Sequence, residues 1–131
     1  MQDTRGKELA DLSTWTWQIT DDLSKGRIIS CRTKPDPVSG STGRAIVRGS
    51  RGTRVEVCFR VFSTGGISVT SARAKSYFGR ELKWSSSDRH RQTHAISAEF
   101  QQNLNNAMRK LKLEELVQMP PLKRWWHLKT A

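Results

Sequence analysis

The sequence predicts an α+β domain: an antiparallel sheet with a basic, Ser/Thr-lined outer face, packed on a long C-terminal helix. Three observations predict it. Thr53 to Phe62 alternates with period two, placing Val55, Val57, Phe59 and Val61 on one face and Arg54, Glu56, Cys58, Arg60 and Phe62 on the other. Ser63-Thr64-Gly65-Gly66 then supplies a hairpin loop, because glycine admits positive φ, and Ile67 to Ser71 returns as a second alternating strand. Further on, Ile96, Phe100, Leu104, Ala107, Met108 and Leu111 recur at intervals of three and four, the stripe of an amphipathic helix.

The remaining elements follow in chain order. Residues 5–12 form a short helical turn with Leu9 and Leu12 inward. Over Ser13 to Thr20, Trp15, Trp17 and Ile19 alternate with Thr14, Thr16, Gln18 and Thr20, so a strand fits better than a short helix. Arg27 to Thr33 is rich in β-branched residues and reads as a strand, ended by Lys34-Pro35-Asp36-Pro37. Val38 to Gly43 is a flexible loop, Arg44 to Arg48 a short strand and Gly49-Ser50-Arg51-Gly52 a turn. Residues 72–94 read as irregular, polar and basic. One helix then spans Ala95 to Met119, with Leu113, Leu116 and Val117 extending its apolar surface to a second face, until Pro120-Pro121 stops it. Residues 120–131 are a basic aromatic tail containing Trp125 and Trp126.

A chain of 131 residues suits a single domain, which buries about two-thirds of its unfolded surface. No run of about 18 apolar residues occurs, so no membrane span is expected. Met1 to Ala10 lacks the apolar segment of a secretion signal, so an intracellular protein is expected. Cys31 and Cys58 are too few for a disulfide framework and fit a reducing compartment. The net charge of +11 is unevenly placed: residues 1–22 carry −3, residues 23–80 carry +10 and residues 81–131 carry +4. Nine of the twelve bases in the middle segment are arginine, whose planar fork suits phosphate oxygens. The expected partner is a polyanion.

Candidate contacts are nine of those bases: Arg32, Lys34, Arg44, Arg48, Arg51, Arg54, Arg60, Arg73 and Lys75. In simple register Arg54, Arg60, Ser68 and Thr70 project together, and hydroxyls between arginines suit close approach to a sugar–phosphate backbone, including a 2′-hydroxyl. Nothing resembles a base-reading helix, so a duplex would be read by shape. Trp15 and Trp17 can stack on bases at a strand end, although core packing is the commoner fate of tryptophan. Asp88, His90 and His94 have metal-ligand spacing, but Arg89 and Arg91 crowd them and a third histidine, His127, is remote. No nucleotide-binding glycine loop, nucleophile motif or paired Cys-x-x-Cys occurs, and the acids are scattered. Neither a catalytic site nor a cofactor or metal is expected.

Val57-Cys-Phe-Arg-Val-Phe-Ser-Thr-Gly-Gly-Ile-Ser-Val-Thr-Ser71 resembles the central strands of the tombusvirus-type RNA-silencing suppressors, and Ser13-Thr-Trp-Thr-Trp17 followed by Asp21-Asp22 resembles their two-tryptophan segment. The element order agrees over residues 13–117, and the short length is closest to the fourteen-kilodalton suppressors of aureusviruses. The resemblance implies a viral homodimer that binds double-stranded RNA on a concave sheet and sequesters small interfering RNA in the host cytoplasm. It implies that Ser68 and Thr70 contact the RNA backbone, that Trp15 and Trp17 cap the duplex ends, and that Arg73 is the basic residue just past the Ser/Thr strand. The tryptophans here are Trp-x-Trp, where the nineteen-kilodalton class has Trp-x-x-Trp. Residues two apart do not share a helix face, so selection of one duplex length is not implied. No Gly-Trp or Trp-Gly pair occurs to support an Argonaute hook.

A two-fold dimer would match the approximate two-fold symmetry of a duplex, and the second apolar face of Ala95–Met119 is the candidate interface. The competing expectations are a phage or plasmid DNA-binding regulator and a nucleocapsid-like single-strand binder, with a histidine nuclease a distant fourth.

Overall fold

The structure, a computed structural model, describes residues 4–36, 40–75, 81–87, 94–119 and 122–124. The fold is α+β. Helix α1 (Thr4–Ser24) leads into five strands, β1 (Arg27–Asp36), β2 (Gly40–Arg48), β3 (Arg54–Val61), β4 (Ile67–Lys75) and β5 (Glu81–Ser85), followed by α2 (His94–Lys110) and α3 (Leu113–Gln118). The strands form one antiparallel meander in the order β1-β2-β3-β4-β5.

The core lies between one sheet face and the helices. Val47, Val55, Val57, Phe59, Val69 and Trp84 meet Ile19, Leu23, Phe100, Leu104, Met108 and Leu113. Trp84, unassigned from sequence, packs edge-to-face on Phe100 with ring centroids 5.6 Å apart. Phe59 lies across Gly43 of β2, where a Cβ would come within 2.3 Å of the ring.

Two irregularities set the phase of the sheet. The β1–β2 pairing passes from Ile28↔Val47 to Ser30↔Ile46, leaving Ile29 as an extra residue. The β3–β4 pairing passes from Cys58↔Ser71 to Phe59↔Val69, leaving Thr70 extra. Each β-bulge breaks the period of two, so Ile28 and Cys31 both face the core, as do Val69 and Ala72.

Five expectations are corrected. Ser13–Thr20 belongs to α1: Trp15, Thr16, Ile19, Thr20 and Leu23 are all buried, which is a helical set. The Thr20 hydroxyl is satisfied within the helix by donating to the Thr16 carbonyl at 3.1 Å. Residues 72–94 are not uniformly irregular, because β4 continues to Lys75 and β5 follows; Leu82 and Trp84 supply its inward alternation. Gly40–Gly43 belongs to β2 instead of a loop, and β1 runs through Pro35, which an edge strand tolerates. The single long C-terminal helix is two: the chain breaks at Lys112, which has φ 61°, and the turn directs Leu113 and Leu116 into the core. That second apolar face is therefore largely spent inside the domain, so it does not supply the expected dimer interface. Leu9, Leu12 and Ile96 have side chains outside the described set, as are residues 120–121 and 125–131 of the tail. Of that tail, Arg124 is buried, donating to the Thr33 hydroxyl and the Met119 carbonyl, both at 3.2 Å.

Asp22 ties α1 to the β2–β3 turn. Its buried carboxylate accepts from the Ser50 hydroxyl and the Arg51 N–H, both at 2.8 Å. Residue 49 must be glycine here, since a Cβ would come within 2.1 Å of the carboxylate. Burial alone would raise the Asp22 pKa; hydrogen bonds from the Arg51 N–H, Thr53 and Ser50 outweigh it and hold the carboxyl below its ordinary value. A lowered folded-state pKa adds stability that is fully present above the unfolded value, about pH 4, and is lost as pH falls through the folded value. Asp22→Asn should cost about 1–3 kcal/mol in urea unfolding at pH 7, and the deficit relative to wild type should shrink as the pH is lowered below about 4.

Candidate nucleic-acid interface

The face of the sheet opposite the helices is defined by the pairing register. At one end, Arg27, Arg48, Arg54 and Lys75 stand directly opposite one another on four consecutive strands, and Glu81 of β5 closes the row. The next row is Ser30, Ile46, Glu56, Arg73 and Lys83. The third is Arg32, Arg44, Cys58, Ser71 and Ser85, and the last is Lys34, Thr42, Arg60 and Ser68. Among the described side chains, ten cations share this face with two carboxylates.

The bulges produce this distribution. If Ile29 were paired in strict alternation instead of bulged out, burying Ile28 would turn Arg32 and Lys34 inward; if Thr70 were, burying Val69 would do the same to Arg73 and Lys75. Like charges directly opposed across strands are destabilising. Arg27/Arg48, Arg48/Arg54, Arg54/Lys75, Arg32/Arg44 and Arg73/Lys83 are five such pairs. Arg44 pairs with Glu56 at 3.0 Å, and Arg73 pairs with Glu81. The Arg73 hydrogen bond, with help from Lys83 and Lys75 nearby, holds the Glu81 carboxyl below its usual range.

The register brings nearly all the sequence-predicted basic residues onto one surface. Arg32, Lys34, Arg44 and Arg60 surround a shallow hollow of about 690 Å³ that also includes Thr42 and Thr70. Arg51 is exposed at the β2–β3 turn, beyond the Arg48/Arg54 end of the face. Ser68 sits opposite Arg60. Thr70 donates its hydroxyl to the Cys58 carbonyl at 3.2 Å, so it offers a ligand mainly acceptor capacity. Arg27, Ser30, Ser71, Lys83 and Ser85 join the face without having been singled out; the alternation Glu81-Leu-Lys-Trp-Ser85 was the signal for the last two.

The tryptophans do not form a pair. Trp15 is 9% exposed and belongs to the core, whereas Trp17 is 59% exposed. On a helix, residues two apart point about 200° apart, and the joint capping surface expected of Trp15 and Trp17 is not formed. Cys31 and Cys58 are free and are not on neighbouring strands: β2 lies between them, Cys31 facing the core and Cys58 the opposite side. Burial pushes the Cys31 thiol pKa up, against the opposing charge and hydrogen bond of Arg124. Among the described residues no group of three His, Cys, Asp or Glu side chains is placed to hold a metal; Asp88 and His90 lie outside them, and His94 begins α2. No helix among the described residues is long and apolar enough to cross a membrane. Comparison with protein-family models, curated proteins and solved structures finds no match to this chain.

Trp15→Ala should cost about 3–5 kcal/mol of stability, as expected for deleting a core aromatic, while Trp17→Ala should change it by no more than about 0.5 kcal/mol. Urea unfolding followed by circular dichroism checks both.

Proposed function

We propose that this protein binds double-stranded RNA across the cation-bearing sheet face, without reading its sequence, and acts as a viral suppressor of RNA silencing that sequesters the duplex in the host cytoplasm. The observation that carries the proposal is the row Arg27–Arg48–Arg54–Lys75. Strands lie about 4.8 Å apart, so this row spans only about 14 Å and its members repel one another. A nucleic-acid duplex presents about one charge per 1.7 Å of axis, enough to neutralise such a row.

The distribution of elements supports backbone recognition. The core-forming stripes of α1, α2 and α3 all join the core on the other face of the sheet, leaving strands, among the described residues, to meet the ligand. Strand-borne arginines interleaved with Ser30, Thr42, Ser68, Ser71 and Ser85 suit phosphates and 2′-hydroxyls, which are what a shape-reading protein uses on RNA. The resemblance of Val57–Ser71 to the tombusvirus-type suppressors favours RNA over DNA and supplies the biological role. A homodimer is part of the proposal, since a two-fold assembly would match the duplex; a monomer by light scattering at working concentration would reject that part.

Titration of labelled duplex RNA, duplex DNA and single-stranded RNA at two salt concentrations tests the proposal. Duplex RNA should bind most tightly, with an affinity that falls steeply as salt rises. Equal affinity for duplex DNA, or preference for the single strand, would overturn it in favour of a DNA-binding regulator or a nucleocapsid-like protein. Arg54→Ala and Arg60→Ala should each weaken binding to all duplexes alike and reduce the salt slope by about one.

A further inference from the structure

Where β5 ends, the sheet face opens into a notch. Ser85 is the last residue of β5, paired with Ser71, and the Ser86 N–H still reaches the Thr70 carbonyl at 2.8 Å. Beyond that point no strand among the described residues lies beside Ile67–Val69 on that edge, and α2 fills in below: Gln101 donates to the Val69 carbonyl at 2.9 Å, and Asn105 accepts from the Val69 N–H at 2.8 Å. The resulting space, about 430 Å³, is bordered by Ser68, Thr70, Ser71 and Ser85–Ser87, together with Gln101, Arg60 and Phe62.

The chemistry of the notch differs from that of the rest of the face. Among the described residues it is lined by neutral hydroxyls and an amide, with Arg60 as cation and Phe62 as aromatic ring. Phe62 is 48% exposed, and its backbone is held in the hairpin turn. Its N–H donates to the Gly66 carbonyl at 2.8 Å, its carbonyl accepts from the Gly65 N–H at 2.9 Å, and Gln118 of α3 holds the Gly65 carbonyl at 3.2 Å. A flat apolar ring, a guanidinium and a set of donor–acceptor hydroxyls are together the complement of one nucleotide: ring for base, guanidinium for phosphate, hydroxyls for sugar and base edges. The volume lies within the range of ordinary small-ligand sites, about 300–1,000 Å³. The notch continues the Lys34–Thr42–Arg60–Ser68 row, so a strand tracked by that row runs directly into it.

We propose that this notch binds an unpaired nucleotide adjoining the duplex, its base on Phe62 and its phosphate on Arg60. The proposal rests on the duplex-RNA function and adds a preference for duplexes with single-stranded ends. It is tested with one labelled RNA duplex in three forms: blunt, with two unpaired nucleotides at the 3′ ends, and with two at the 5′ ends. Wild type should bind one overhanging form about tenfold more tightly than the blunt form, the value of one stacked base. Phe62→Ala should abolish that advantage while leaving blunt-duplex affinity unchanged, and Phe62→Trp should retain it. A 4-thiouridine at the first unpaired position should photocrosslink within residues 60–71 or 85–87 of the wild type. Equal affinity for blunt and overhanging forms, an advantage that survives Phe62→Ala, or a crosslink elsewhere would overturn the proposal. The blunt duplex separates this from failure of the parent function: if wild type does not bind it or either overhanging form, both readings fall together.

Discussion

Two extra residues, Ile29 and Thr70, decide which side of the sheet the cations occupy. A strand allots its side chains alternately to two faces, and one of these faces is filled by Val47, Val55, Val57 and Phe59 against the helices. With strict alternation along β1 and β4, burying Ile28 and Val69 would also bury Arg32, Lys34, Arg73 and Lys75. Burying four unpaired charges costs far more than a domain of this size has in net stability. A bulge resolves the conflict locally, shifting the phase by one residue so that the apolar and basic halves of each strand are both correctly directed. Core and charged face thus depend on the same two irregularities.

The same logic explains what could be seen in the sequence. β3 has no extra residue of its own, and its alternation from Val55 to Val61 is unambiguous; the hairpin into β4 follows from Gly65-Gly66. The α2 stripe is equally plain from Phe100 to Met108. The N-terminal helix was hidden because Trp15 and Ile19 fit a period of two as well as of four, and only the burial of Thr16, Thr20 and Leu23 separates the alternatives. β5 was hidden because five residues between polar segments give little pattern, although Leu82 and Trp84 carry it. The break at Lys112 has no glycine or proline to announce it; packing of Leu113 and Leu116 imposes it. At the candidate interface, the basic residues could be named from composition and spacing. Their arrangement in rows could not, because it requires the pairing of five strands and the positions of both bulges.

The charged face and the helical face are joined through Asp22. The carboxylate leaves α1, enters the β2–β3 turn and organises the backbone of Ser50 and Arg51, next to the opposed Arg48 and Arg54. A buried anion therefore sits beside the middle of the most crowded cationic row and fixes the turn that joins its two central strands.

The amides of Gln101 and Asn105 have a different kind of consequence. An uncovered strand edge offers its N–H and C=O groups to any other chain that can supply a strand, which is the usual beginning of aggregation. On β4 the groups of Val69 are already occupied, by side chains of α2 and not by another strand. The protein can thus leave this stretch of sheet open to a small ligand while closing it to sheet extension. Growth by strand addition is blocked at Val69 without a sixth strand being needed to cover it.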